Sequence, residues 1–314
     1  MPAILEVHNL IKQYNDFTAV KGISFDIQEG EIFSLLGPNG AGKTTTISVL
    51  STLYTATSGD ALICGHSVTK DPMAVRRVIG VVPQDLAVYD ELTARENLVF
   101  WGQMYNLSGK QLKLRVDEVL EQIGLTDRAA QRVKTYSGGM KRRLNIGVGL
   151  LHKPSLLFMD EPTVGIDPQS RRAILDSVKA LNRQGMTVLY TTHYMEEAEE
   201  LSTRVGIIDH GQLIAIGTQS ELTRQVGENE TLVLHVGEGE NPQALMEAVR
   251  GLEGVLQADV SDHSVTLMTP EAEELLPSAI MQANTIGIKI RSVDIREPNL
   301  EAVFLNLTGR ALRD

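Results

Sequence analysis

Residues 37–45, Gly37-Pro38-Asn39-Gly40-Ala41-Gly42-Lys43-Thr44-Thr45, constrain the fold of this chain more than any other stretch, because they complete a GxxxxGK[ST] phosphate-binding loop. Glu31 to Leu36 before it is an apolar, strand-like run, and Thr44 to Leu53 after it has the character of a helix, so the loop lies between strand and helix as its mechanism requires. Glycines at 37, 40 and 42 let the backbone turn its N–H groups inward as an anion nest, and the helix N-terminus adds partial positive charge. Lys43 is placed to reach the β- and γ-phosphates of ATP, and the Thr44 hydroxyl to ligate Mg²⁺.

The chain has 314 residues, about two domains by length, and its 42% hydrophobic and 22% charged residues describe an ordinary soluble globular protein. Its 40 acidic residues outnumber its 29 basic ones, giving a formal net charge of −11. That balance argues against extended contact with nucleic acid, which needs a basic surface to neutralise phosphates, but not against ATP, which needs only a local nest. Cys64 is the single cysteine, so no intrachain disulfide and no cysteine-cluster metal site can form. No apolar run approaches the ~20 residues that span a bilayer, and Met1 to Leu10 has no leader character. The expectation is a cytoplasmic protein that does not insert into the membrane and reaches it only through a partner.

Residues 1–36 alternate apolar and polar positions, with turn signals at Asn15-Asp16 and Glu29-Gly30, and read as antiparallel strands leading into the loop. Residues 84–150 are mostly helical in pattern. Thr93-Ala94-Arg95-Glu96 is a capping box that opens one helix, and Leu112 to Ile123 carries apolar residues at helical spacing. Strand-like runs return at 155–160 and 187–191, separated by a helix whose start is marked by Asp167-Pro168, so a parallel sheet with covered faces is expected. Val205 to Ile208 and Leu213 to Ile216 flank a hairpin turn, and Thr218-Gln219-Ser220-Glu221 is a second capping box.

A polar stretch at Gly227-Glu228-Asn229-Glu230 marks a domain boundary, dividing the chain into residues 1–227 and 228–314. Beyond it the order strand (231–236), helix (242–251), strand (254–260), strand (264–268), helix (270–284), strand (287–295) is βαββαβ, the ferredoxin-like split motif, and a helix from Asn299 to Leu307 follows.

Leu156 to Glu161 is an apolar strand ending in two carboxylates. A carboxylate at the tip of a buried parallel strand stands at the sheet's carboxyl edge, where ligands bind in such folds. Asp160 is placed to hold Mg²⁺ opposite Thr44, and Glu161 to polarise the water that attacks the γ-phosphorus. Ser137-Gly138-Gly139 opens another helix, with Ser137 in the N-cap position and Lys141-Arg142-Arg143 following, and exposes unpaired N–H groups as a second anion site. Two phosphate-seeking helix ends on one chain suggest that one serves a neighbour's nucleotide.

The order of these motifs resembles the ATP-binding subunit of an ABC transporter over roughly residues 3–220. Gln84, after Val81-Val82-Pro83, matches that family's glutamine loop, and Ser137-Gly138-Gly139 its signature. Asp160-Glu161-Pro162-Thr163 matches the carboxylate strand, Val164-Gly165-Ile166-Asp167 the D-loop, and His193 in Thr191-Thr192-His193 the switch histidine. The resemblance implies an α/β fold, a P-loop ATPase domain with a parallel core sheet, an antiparallel β subdomain and a helical subdomain, here followed by the small ferredoxin-like α+β domain. It also implies that Gln84 bridges Mg²⁺ and the attacking water, that His193 contacts the γ-phosphate, and that Tyr14 stacks on adenine. Tyr136 stands where the family commonly has Leu, so altered packing at the dimer face is expected. Pro298 to Arg310 resembles the ending of daunorubicin-resistance-type ATPases, which implies export through an integral membrane permease of the ABC-2 type.

The expected protein is therefore an ATP hydrolase that forms a head-to-tail homodimer around two ATP and sits on the cytosolic face of the membrane through its permease. Leu86, Val88, Tyr89 and Glu91 are the expected permease contacts. The alternative is a soluble ABC ATPase whose C-terminal domain regulates it and which takes no part in transport.

Overall fold

In the computed structural model, whose described residues are 2–225, 229–296 and 299–308, the chain opens with β1 (Ala3–Tyr14) and β2 (Phe17–Gln28), an antiparallel pair. β3 (Ile32–Leu36), the phosphate loop and α1 (Lys43–Leu50) follow. β4 (Ser58–Ile63) and β5 (His66–Ser67) then rejoin the first pair in an antiparallel sheet ordered β2-β1-β4-β5. After α2 (Pro72–Val78) and β6 (Ile79–Val82) comes a helical region with α3 (Ala94–Met104), α4 (Gly109–Gln122) and α5 (Gly138–Leu150). Strand and helix alternate next through β7 (Leu156–Asp160), α6 (Pro168–Arg183), β8 (Thr187–Thr192) and α7 (Met195–Leu201), ending in the hairpin of β9 (Arg204–Asp209) and β10 (Gln212–Gly217).

The core sheet is ordered β10-β9-β3-β8-β7-β6, parallel from β9 to β6, with β10 antiparallel at the edge. Parallel strands covered on both faces are apolar along their length, and β3, β7 and β8 are buried at every residue. One face packs on α1 and the antiparallel sheet, where Phe33 stacks on Phe25 with ring centroids 5.2 Å apart. The other receives Leu144 of α5 and Ile174 and Val178 of α6 against Leu157, Met159 and Tyr190. Fully burying each such Leu, Val or Ile contributes about 1.5–3 kcal/mol.

Local signals fix the helix starts. At Thr93 the hydroxyl accepts from Glu96 N at 3.1 Å while Thr93 N donates to Glu96 Oε2 at 2.8 Å, the reciprocal capping box. Asp167 caps α6 by accepting from Ser170 N at 2.9 Å, with Pro168 in the first turn. α1 ends at Leu50, short of the Leu53 expected from its pattern, because Thr52 takes a left-handed φ of 63° and Arg76 grips its hydroxyl at 2.7 Å and its carbonyl at 3.0 Å.

Among the described residues the chain forms two compact units, the first ending at Thr218 and the second opening at Gln219. The second holds α8 (Gln219–Gln225), β11 (Glu230–Val236), α9 (Pro242–Val249), β12 (Gln257–Ser261), β13 (Ser264–Thr269), α10 (Ala272–Thr285), β14 (Ile290–Arg296) and α11 (Leu300–Thr308). Its antiparallel sheet is ordered β12-β13-β11-β14, so β13 lies between the parallel β11 and β12, the arrangement a split βαβ produces. Leu232, Leu234 and Val236 of β11 face Leu245 and Val249 of α9 and Leu275 and Ala279 of α10. α8 groups with this unit because it packs on α11. Gly227 and Glu228, the boundary expected from sequence, lie outside the described residues, as do Pro298, Gly309 and Arg310 of the terminal motif. Among the described residues no helix is long and apolar enough to cross a membrane.

Candidate nucleotide-binding and hydrolytic site

Parallel register assembles the site. It sets Leu36 beside Thr192, Asp160 beside Thr191, and Val82 beside Met159. The residues that follow, Gly37, His193, Glu161 and Gln84, therefore leave their strands at one carboxyl edge. Backbone bonds pin that edge, with Gly37 N donating to Thr192 O and Glu161 N to Thr191 O, both at 3.2 Å.

Within the loop Gly42 has φ 108°, and a Cβ there would lie 2.7 Å from Ala19 O, so the position admits only glycine. Gly42 caps α1 without a side-chain bond, which leaves the first N–H groups of the helix for an anion. Asn39, Gly40 and Thr44 are exposed at the rim, Pro38 and Thr45 are half-buried, and Ala41 is buried with its carbonyl accepting from Gly211 N at 2.9 Å.

Lys43 is 4% exposed and turns its ammonium into the loop, donating to Gly37 O at 2.7 Å and Pro38 O at 3.0 Å. The same Nζ pairs with Glu161 Oε1 at 2.9 Å, and Glu161 Oε2 lies 3.2 Å from His193 Nδ1. A cation, a carboxylate and an imidazole thus form one buried chain. Glu161 takes a left-handed φ of 43°, unusual for a residue with a side chain, and is held there by its N–H bonding to Thr191 Oγ1 at 3.0 Å. Asp160 Oδ1 accepts from Thr191 Oγ1 at 2.7 Å and from Thr44 Oγ1 at 3.2 Å. Burial raises the pKa of the Asp160 carboxyl above its ordinary value; the Thr191 and Thr44 hydroxyls oppose the shift and the neighbouring Glu161 charge adds to it.

The structure thus brings together Lys43, Thr44, Asp160, Glu161 and His193. The other site residues expected from sequence stand on separate elements. Gln84 shares the carboxyl edge but exposes its side chain, and its carbonyl accepts from Arg142 at 2.8 Å. Tyr14, at the end of β1, is 38% exposed, edge-on to Tyr54 at 6.0 Å between centroids, with Lys12 Nζ 4.9 Å from its ring. Ser137 is exposed and caps α5, accepting from Met140 N at 3.3 Å. A Cβ on Gly139 would meet Ser170 Oγ at 2.3 Å, whereas one on Gly138 would meet nothing nearer than Ile166 Cδ1 at 3.5 Å. Packing against α6 therefore demands the second glycine, and nothing inside this chain demands the first.

Lys141-Arg142-Arg143 serves its own chain: Lys141 pairs with Asp90 at 2.8 Å, Arg142 donates to Pro83 O and Gln84 O, and Arg143 reaches the Ile123 and Gly124 carbonyls. Tyr136 turns its ring into its own chain. It is 6% exposed in the helical core, with its hydroxyl donating to Arg128 O at 2.7 Å. Sequence reasoning missed Thr191, whose hydroxyl touches both Asp160 and Glu161, and Asn145, which with Arg142 holds the glutamine loop by accepting from Ala87 N at 2.9 Å. Thr191 stood in view beside His193, and the basic run beside Ser137; their partners lie at distant positions in the chain.

A phosphate loop between β3 and α1, with a carboxylate-tipped strand at the same edge, defines a P-loop nucleoside triphosphatase. The ABC transporter family matches residues 20–164. The linearmycin resistance ATP-binding protein of Bacillus subtilis (strain 168) is 50% identical over 99% of this chain and 100% of its own length. The daunorubicin/doxorubicin resistance ATP-binding protein of Streptomyces peucetius is 39% identical over 99% of this chain and 94% of its own. Among solved structures, a dimeric ATP-binding cassette in a post-hydrolysis state bound to ADP and Pi is 27% identical, with a TM-score of 0.62 over 68% of this chain and 98% of that one. The chain belongs to the ABC transporter family as an ATP-binding, ATP-hydrolysing subunit, and its relatives are of the daunorubicin-resistance type.

Proposed function

We propose that this chain drives an exporter by closing and opening a head-to-tail homodimer around two ATP molecules, coupled to a separate ABC-2-type permease at the cytosolic face of the membrane. The Lys43–Glu161–His193 chain carries the reading, because it sets a phosphate-binding cation and a γ-phosphate sensor each within hydrogen-bond reach of one water-polarising carboxylate.

In this mechanism the loop N–H groups of residues 37–45 and the Lys43 ammonium hold the phosphates, and Tyr14 stacks on adenine. The Thr44 hydroxyl and Asp160 carboxylate are hard oxygen donors already 3.2 Å apart, and burial leaves Asp160 in want of a cation, so with the Gln84 amide oxygen they fit Mg²⁺. What Mg²⁺ supplies when bound is charge neutralisation at the β- and γ-phosphate oxygens. Lys43 exchanges Glu161 for phosphate, and the freed carboxylate orients water and accepts its proton as the oxygen attacks the γ-phosphorus and the bond to the β–γ bridging oxygen breaks, releasing ADP and phosphate. His193 follows the γ-phosphate from the end of β8.

Ser137 and Gly139, with Gly138 between them, cap the γ-phosphate held by the partner's loop. An exposed Ser137 and a Gly138 that its own chain does not require support this reading, since a close approach from outside explains both. Loss of the γ-phosphate releases the contact and opens the dimer. The motion reaches the permease through Leu86, Val88, Tyr89 and Glu91, on the segment that Arg142 and Asn145 tie to α5. The unit that ends at Thr218 is the ATPase, and the unit that opens at Gln219 is an accessory domain.

Glu161→Gln tests the assignment. It is expected to bind ATP, to form a stable dimer and to turn over about a thousandfold more slowly. Near-normal hydrolysis by the purified variant rules out the role.

A further inference from the structure

Glu197, on α7, is 2% exposed and sits among side chains from both loops that carry the hydrolytic pair. Its Oε1 accepts from Thr163 Oγ1 at 2.6 Å, and its Oε2 from Thr192 Oγ1 and from Tyr190 OH, each at 2.9 Å. Arg171 Nε, from α6, lies 3.6 Å from Oε1, and its guanidinium stands 4.3 Å over the ring of Tyr194. Thr163, Tyr190 and Thr192 are themselves 0–1% exposed, so the cluster is closed to water. A buried carboxylate is tolerated only where donors satisfy it, and it then fixes the groups that donate. Burial, with the Glu197 charge behind it, holds the Tyr190 phenol pKa well above its ordinary value, so that hydroxyl remains a donor.

The donors belong to different parts of the chain. Thr163 lies two residues beyond Glu161 in the segment leaving β7, and Thr192 immediately precedes His193 at the end of β8. The geometry points to Glu197 as a positioning residue for ATP hydrolysis, one carboxylate that clamps the Glu161 loop to the His193 strand and so sets the 3.2 Å separation between Glu161 Oε2 and His193 Nδ1. It touches neither water nor nucleotide. Glu161 needs such a clamp because its left-handed φ of 43° costs about 1–3 kcal/mol on its own, and its loop persists only where neighbours over-determine it. Two holds act on that loop: Thr191 takes the Glu161 N–H, and Glu197 takes the Thr163 hydroxyl two residues on. Glutamine in place of Glu197 keeps the volume, but presents one acceptor oxygen and an NH₂ to hydroxyls that are all donating, so the loops lose their common anchor.

This inference rests on the roles proposed above for Glu161 and His193, and the experiment separates the two. ATP turnover of the full chain is measured for wild type, Glu197→Gln, Glu161→Gln and the double variant, with thermal unfolding recorded for each. Glu197→Gln is expected to lower kcat about tenfold and to leave KM for ATP within about twofold, since misplacement of reacting groups spares binding. In the Glu161→Gln background it is expected to cause no further loss, because the group it positions is already gone. Thr163→Val and Thr192→Val remove a donor from each loop in turn and are expected to give the same split even if Glu197→Gln does not fold. Wild-type kcat in Glu197→Gln overturns the inference, and so does a loss that multiplies with that of Glu161→Gln. Near-normal turnover by Glu161→Gln alone defeats instead the assignment of Glu161.

Discussion

The carboxyl edge of the core sheet and the start of α5, the two places to which the proposed mechanism assigns phosphate, are built in opposite ways. At the sheet edge Lys43 and Glu161 are 4% and 5% exposed and each is satisfied by the other, so this arrangement is complete within one chain. At α5 Ser137 and Gly138 are exposed, Ser137 caps only its own helix, and the basic residues behind it are spent on Asp90 and on backbone carbonyls. The first is a finished arrangement closed inside one molecule. The second is a finger presented outward, and the contrast argues that the two meet between chains.

Breaking the buried half should have the largest effect. Lys43→Ala leaves the Glu161 carboxylate with His193 alone and removes the cation assigned to phosphate, and turnover in a steady-state phosphate-release assay should fall about 10²–10³-fold. The glycines of the finger sharpen the comparison. Gly139→Ala drives a Cβ against Ser170, which should cost about 1–3 kcal/mol in urea unfolding and be relieved by Ser170→Gly. Gly138→Ala has room within the chain and should leave the unfolding midpoint of the monomer in place while weakening the ATP-dependent dimer seen by light scattering. Tyr136→Phe loses the bond to Arg128 O and should cost about 0.5–1.5 kcal/mol without altering dimerisation, because the ring is internal.

The pH dependence has a definite sign. Burial raises the Asp160 pKa in the folded chain, so its ionised form penalises folding at neutral pH, and the penalty fades as pH falls through the raised value. Asp160→Asn should therefore raise the melting temperature at neutral pH in metal-free buffer, and the gain should shrink on acidification.

Much of this molecule was legible in the sequence, for local reasons. The loop at 37–45, the capping box at Thr93, the Asp167-Pro168 start and the βαββαβ order each follow from neighbouring residues acting on their own backbone. What was not legible depends on register. Nothing near Glu197 in sequence shows that Thr163, Tyr190 and Thr192 donate to it, because they converge only once β7 and β8 pair and α7 folds back. The Lys141-Arg142-Arg143 run shows its charge in the sequence and hides the Gln84 and Gly124 carbonyls that claim it. Tyr136 suggested altered packing at a dimer face because it stands where the resembled family commonly has Leu, and the sequence does not show that its ring turns into the core.

The shared site is tested most directly by mixing two inactive chains. Ser137→Arg blocks the finger and keeps the buried half; Lys43→Ala breaks the buried half and keeps the finger. Each homodimer should be inactive, and equal mixing should restore ATP turnover corresponding to one working site per heterodimer. Mixtures that form heterodimers and remain as inactive as either parent would contradict a site completed across two chains.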